Sequence, residues 1–213
     1  MAAKLFILIF LILLLFYQFN LYTLRYVSPY TLDVYFGKKG CGKSSTLQKL
    51  ATRYYSKGWT CYCDRSDSGL PFVHQIDADF IYAYKFPPNS VIFVGEANLH
   101  WDNRDFKSFP KEMQRFFRKQ RHKRVKVVLF SQTYDCDKKI RDLADRLYIS
   151  KKVLRIFTFN RCYIKQPVII PAREAHDTAK MADDYIRSPL FSKLNSVTFI
   201  PRWTSSFDSF EDS

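Results

Sequence analysis

From Leu5 to Phe19 the chain is apolar apart from Tyr17 and Gln18, and the run extends to Leu24 with only Asn20 and Thr23 polar. About 20 such residues make a helix long enough to cross a bilayer. The run therefore predicts an N-terminal transmembrane anchor over residues 1–27. A cleaved signal peptide is the competing reading, with Lys4 as its basic start, but no small-x-small cleavage site follows. Tyr17, Tyr22, Tyr26 and Tyr30 crowd the far end instead, as an interfacial aromatic belt would. Only Lys4 precedes the run, whereas Arg25, Lys38 and Lys39 follow it, so the positive-inside rule predicts a single-pass protein with its C-terminal domain cytoplasmic.

Beyond the anchor the apolar positions fall into short runs, and their periods alternate. Leu32 to Phe36 reads as a buried strand; Ser44 to Ser56 carries Leu47, Leu50, Ala51 and Tyr54 at helical spacing. Thr60 to Asp64 reads as a second strand, Gly69-Leu70-Pro71 as a turn, and Asp79 to Tyr82 as a short strand. Val91-Ile92-Phe93-Val94 is wholly apolar and Val125 to Phe130 is apolar apart from Lys126, the pattern of central parallel strands buried on both faces. Between them, the charged segment Asp102 to Lys123 suits a helix with Pro110 in its first turn and Ser108 as a cap. Asp137 to Arg146 reads as a helix with Ile140, Leu143 and Ala144 inward. Strands alternating with helices predict an α/β fold with a mainly parallel sheet covered on both faces. The last third changes character: Leu147 to Ser150, Leu154 to Phe159 and Arg161 to Ile170 alternate polar and apolar residues, predicting a C-terminal antiparallel hairpin. Pro171 to Arg187 reads as a polar helix, so the expected domain runs over 28–188 and residues 189–213 form a tail. Roughly 185 residues after the anchor suffice for one such domain.

The first strand runs directly into Gly37-Lys38-Lys39-Gly40-Cys41-Gly42-Lys43-Ser44, which fits G-x-x-x-x-G-K-[ST] and is followed by Ser45. Of the six glycines in the chain, three fall in these eight residues, so a strand, a glycine-rich turn and a helix coincide where phosphate binding needs them. Backbone N–H groups would converge on phosphate, the helix N-terminus would add its positive end, and Lys43 a point charge. Ser44 would offer its hydroxyl to Mg²⁺, so ATP and Mg²⁺ are the expected cofactors. Hydrolysis needs an acid to orient water. Glu96, directly after the apolar Val91–Val94 run and Gly95, is the candidate, and a possible ligand of Mg²⁺. Gln132, at the end of the next apolar run with Ser131, is the candidate γ-phosphate sensor. Arg141, with Arg121 and Arg104, could supply a charge-stabilising arginine across a subunit boundary.

The net charge of +14 calls for a partner of opposite sign, nucleic acid or anionic lipid. Arg115, Arg118, Lys119, Arg121, Lys123, Arg124 and Lys126 concentrate it around His122. They form either a solvated helix face or a phosphate contact. Five cysteines, an odd number with Cys41 inside the glycine-rich turn, fit reduced thiols. Cys61 and Cys63 are too closely spaced for a zinc knuckle and suit a buried strand.

Taken in order, the phosphate motif, Gly95-Glu96-Ala97-Asn98, Trp101-Asp102-Asn103-Arg104, Arg121-His122, Ser131-Gln132-Thr133-Tyr134 and Asp137-Lys138-Lys139-Ile140-Arg141 resemble the zonula occludens toxin (Zot)-type ATPases. These are filamentous-phage (inovirus) assembly proteins related to the FtsK/HerA pumping ATPases. The resemblance covers Leu32 to Tyr148 and implies a P-loop NTPase fold, with Lys43 and Ser44 on nucleotide and Mg²⁺, Glu96 as catalytic acid and Gln132 as sensor. It further implies a homo-oligomeric ring in the host cytoplasmic (inner) membrane that extrudes single-stranded phage DNA and coat protein. Two features depart from the family pattern. Gly95 stands where Asp precedes the strand-end Glu, and the apolar run comes first rather than after the ATPase domain. The Gly95 departure leaves open a non-hydrolysing, nucleotide-gated scaffold, and the basic block leaves open a DNA translocation or replication accessory protein.

Overall fold

The computed structural model describes residues 2–23, 28–64, 69–101, 110–132, 138–170, 180–189 and 192–204. Among the described residues nine strands form one sheet: β1 (Leu32–Phe36), β2 (Thr60–Cys63), β3 (Val73–Gln75), β4 (Ser90–Val94), β5 (Val125–Ser131), β6 (Arg146–Val153), β7 (Phe157–Ile170), β8 (Lys180–Arg187) and β9 (Ser196–Phe199). Their order is β3-β2-β4-β5-β1-β6-β7-β8, with β9 on β7. From β3 to β6 every pairing is parallel; from β6 onward all are antiparallel. β1, β4 and β5 are buried at every position, which is why their sequences are predominantly apolar, with Asp33 and Lys126 as buried charged exceptions.

Helix α2 (Lys43–Tyr55) lies on one face, with Leu47 and Ala51 over Cys61, Val91, Phe93 and Val128. The other face is covered by α3 (Ala97–His100), α4 (Lys111–Lys119), α5 (Lys138–Leu143) and a 3-10 helix over Ala78–Ala83. In α4 the buried Met113, Phe116, Phe117 and the following Gln120 recur at helical spacing and meet Trp101 and Ile140 in one core.

Register lays the α2 face down in rows. Tyr35 lies opposite Phe130 on one side and Tyr148 on the other, and the three rings stack at centroid distances of 5.0 and 4.2 Å. One row lower, Asp33 is paired with Lys126, whose ammonium also donates to Thr31 Oγ1 at 2.6 Å. Lys126 thus leaves the basic block and turns into the sheet, while Arg115, Arg118, Lys119, Lys123 and Arg124 stay exposed.

Several expectations are corrected. The Asp79–Tyr82 segment is a 3-10 turn, begun by the Asp77 side chain accepting from the Asp79 amide at 2.9 Å, and not a strand. The helix expected from Asp137 to Arg146 is shorter, because Arg146 already pairs with Asp33 in β6. The polar helix expected over Pro171–Arg187 gives way to strand β8, which extends the antiparallel edge; residues 171–179 lie outside the described ones. The tail expected from residue 189 instead adds β9 and α6 (Pro201–Thr204) to the domain. Ser108, Cys136 and residues 205–213 also lie outside the described residues.

The N-terminal span is corrected too. Residues Ala2–Thr23 form helix α1, and its large apolar side chains from Leu5 to Phe19 are exposed. Among the described residues, however, no helix is long and apolar enough to cross a membrane. The expected anchor and the inner-membrane location therefore do not stand.

Candidate functional site

The glycine-rich turn leaves β1 at the C-terminal end of the parallel strands, where open α/β sheets bind ligands. The Gly37 amide donates to the Ser131 carbonyl at the tip of β5 at 3.2 Å, and the Cys41 amide returns to the Lys38 carbonyl at 3.2 Å. Lys43 opens α2 and folds its ammonium back over the turn, 2.6 Å from the Gly37 carbonyl and 3.2 Å from that of Lys38. Gly42 stands at the N-cap and no side chain caps the helix, so the first-turn N–H groups, those of Lys43, Ser44 and Ser45, present the positive end of the helix dipole. Lys38, Lys39 and Gly40 are exposed and Ser44 half-buried, whereas Cys41 and Ser45 turn their side chains inward. Burial pushes the Cys41 thiol up, against the pull of the Lys43 and Lys152 charges. Cys41 therefore contributes backbone to the turn, not a thiolate.

Behind the turn stands a buried polar cluster that no local sequence pattern announces. Thr158 of β7 donates to the Cys41 carbonyl at 2.7 Å. Thr46, in the first turn of α2, donates to the Gly42 carbonyl at 3.0 Å and meets Thr198 of β9 at 3.3 Å. Asn160 joins them, accepting from Ser150 at 2.6 Å and donating to Ser196 at 3.1 Å. The antiparallel edge is thus the rear wall of the phosphate turn. Gly42 is fixed by this wall as well as by its φ of +91°, since an added Cβ would come within 2.0 Å of Thr158 Oγ1. Gly42→Ala is expected to destabilise the protein by at least about 2 kcal/mol, from left-handed strain and overpacking together. Urea unfolding checks this; adding Thr158→Ala should return only the overpacking part, and full recovery would disprove the strain.

Two of the candidate residues meet. Gln132 Nε2 donates to Glu96 Oε1 at 2.5 Å. Topology explains the encounter: β5, which carries Gln132, lies between β1 and β4, so the end of β4 stands about 10 Å from that of β1 at two strand spacings. Ser131 Oγ lies 3.4 Å from Asn98 Oδ1, tying the same tip to α3. Arg141 is placed elsewhere, on α5 across the sheet from α2, where its carbonyl accepts from the Tyr185 hydroxyl at 2.7 Å. Arg121 pairs with Asp145 at 3.1 Å, at the end of the strands opposite the phosphate turn. Arg104, with Asp102 and Asn103, and Thr133, Tyr134 and Asp137 lie outside the described residues. Among the described residues no group of His, Cys, Asp and Glu forms a metal cluster, and Cys41, Cys61, Cys63 and Cys162 are buried thiols outside any disulfide.

Neither a protein-family model nor a curated protein sequence matches the chain. Solved structures do. The N-terminal domain of zonular occludens toxin from Neisseria meningitidis is 14% identical, with 84% of this chain and 99% of that one covered at a TM-score of 0.56. The genome packaging NTPase B204 from Sulfolobus turreted icosahedral virus 2, in complex with sulfate, is 14% identical, with 73% and 96% covered at a TM-score of 0.51. The sequence resemblance and the structural likeness agree on the zonular occludens toxin domain, and the chain carries the α/β fold of the P-loop NTPases.

Proposed function

We propose that this chain is an ATP hydrolase whose turnover drives filamentous-phage assembly, working as one subunit of a homo-oligomer that moves single-stranded DNA together with coat protein. The observation that carries the reading is the 2.5 Å contact between Gln132 and Glu96 on the strands next to the phosphate turn. An acid and an amide held together there suit the orienting of water and the sensing of a γ-phosphate. The residues fit the nucleotide: uncapped helix amides, Lys43, and the exposed Lys38 and Lys39 suit a polyphosphate. Ser44 is the group that would hold Mg²⁺, with Glu96 two strands away across β5, and the ion would supply charge neutralisation between the phosphates. Arg141 is the arginine we assign to a neighbouring subunit's site. The exposed cations of α4 and its following turn suit a phosphate backbone at the opposite end of the sheet.

Steady-state hydrolysis and ATP binding by the full chain test this. Turnover that disappears together with binding in Lys43→Ala supports the reading. A second reading rests on Gly95, which supplies no carboxylate at the strand end. In it nucleotide binding orders the assembly without hydrolysis, and tight binding with no turnover would select it.

A further inference from the structure

Gly95 brings no carboxylate to the end of β4, and one from the neighbouring strand stands at its amide. Asp64 directly follows β2, whose Cys63 lies opposite Phe93 of β4. The Asp64 amide donates to the Phe93 carbonyl at 3.2 Å, carrying the ladder one residue past the strand. Its side chain, only 5% exposed, then turns onto the loop that β4 enters. The Gly95 amide donates to both carboxylate oxygens, at 2.9 and 3.0 Å. His100, the last residue of α3, places Nε2 3.6 Å from the same carboxylate and Nδ1 3.2 Å from Asp79. The Asp64 carboxylate is the strongest influence on His100 and holds its imidazole pKa above the usual value, against burial.

Glu96 sits between these two attachments. Its backbone, at φ −141° and ψ 78°, belongs to neither the strand before it nor α3 after it. A cleft of about 460 Å³ opens beside Asp64, between Asp77, Tyr84 and His100.

We propose that Asp64 is a positioning residue, which holds the Gly95 amide and, through His100, the end of α3, and so keeps Glu96 against Gln132 beside the phosphate turn. The proposal rests on the reading of Glu96 as the hydrolytic acid. A carboxylate on an N–H in a nearly buried site makes a charge-assisted bond, stronger than the neutral bonds nearby. Reaction geometry is sensitive enough that a displacement of about 1 Å costs on the order of 100-fold in rate. A residue that merely stabilises the fold would leave kcat alone.

The test uses the full chain with Asp64→Ala and Asp64→Asn, reading kcat, KM and hydrogen exchange of the Gly95 amide. Asp64→Ala should lower kcat by about 10- to 100-fold with KM within about twofold of the unsubstituted chain. Asp64→Asn keeps an acceptor for the Gly95 amide and should recover most of that loss. Exchange at Gly95 should accelerate by about tenfold or more in Asp64→Ala, as a lost hydrogen bond exposes the amide. Unchanged kcat in Asp64→Ala, or a Gly95 amide protected as before, overturns the proposal. If Asp64→Ala does not fold, His100→Asn carries the same test: a reduced kcat at unchanged KM is expected, and a full kcat overturns it. A chain that binds ATP without turnover, in wild type as in Glu96→Gln, refutes the hydrolytic reading of Glu96, while exchange at Gly95 still decides whether Asp64 holds the turn.

Discussion

Glu96→Gln removes ATP turnover by about 10²- to 10⁴-fold, the range for loss of a positioned general base, and leaves ATP binding intact. The substitution is close to isosteric, and the new side chain keeps an Oε1 acceptor for Gln132 Nε2, which now donates at 2.5 Å. What goes is the carboxylate's capacity to take a proton from water. The groups suited to phosphates stand on other elements, the turn after β1 and the first turn of α2, so affinity is not expected to follow. Single-turnover hydrolysis paired with equilibrium binding separates the two quantities. Turnover that survives in Glu96→Gln would move the base elsewhere, and binding that falls with it would mean that the pair at positions 96 and 132 shapes the nucleotide site itself.

Asp33→Ala is expected to cost about 3–5 kcal/mol, the usual consequence of stranding a buried charge. Asp33 and Lys126 are 3% and 4% exposed, and they sit on adjacent strands beneath the stacked aromatic row. Without the carboxylate, Lys126 keeps only the Thr31 hydroxyl described beside it, and Arg146, opposite Asp33 in β6, loses a neighbouring negative charge. Lys126→Met leaves Asp33 in the mirror position and should cost as much. Replacing both, Asp33→Leu with Lys126→Met, should return most of the stability, because an apolar pair of similar volume does not have to be desolvated. Urea midpoints for the three variants check the sign as well as the size. Equal losses in the double and the single variants would show that the pair matters through more than its mutual compensation.

The legible parts of this fold are those in which one residue type means one thing. Val91–Val94 and Val125–Phe130 could only be central strands, and the glycines at 37, 40 and 42 between a strand and a helix could only be a turn of this kind. That Glu96 and Gln132 would lie at neighbouring strand ends was readable because each polar residue follows a largely apolar strand. Lys126 was not, since a cation inside a basic block carries no sign that its partner lies 93 residues away. β8 was hidden for a related reason: Asp183 and Asp184 sit in a polar segment whose alternation is too weak to distinguish an edge strand from a solvated helix. Asp64 was passed over because a carboxylate after a four-residue strand has no local signature, and only pairing with β4 gives it a partner. At α1 the apolar run reads as a membrane span, but among the described residues no helix is long and apolar enough to be one.

The rear wall of the phosphate turn has a temporal side. Thr46 is separated by 152 residues from Thr198, and Cys41 by 117 from Thr158. On a ribosome adding roughly 5–20 residues per second, the motif emerges early but waits on the order of 10 s or more for the strands that brace it. Contacts this distant in sequence also make folding slow. The nascent chain therefore displays its nucleotide signature well before it can shape the cradle, and ATP can favour the folded state only once β7 and β9 have been made.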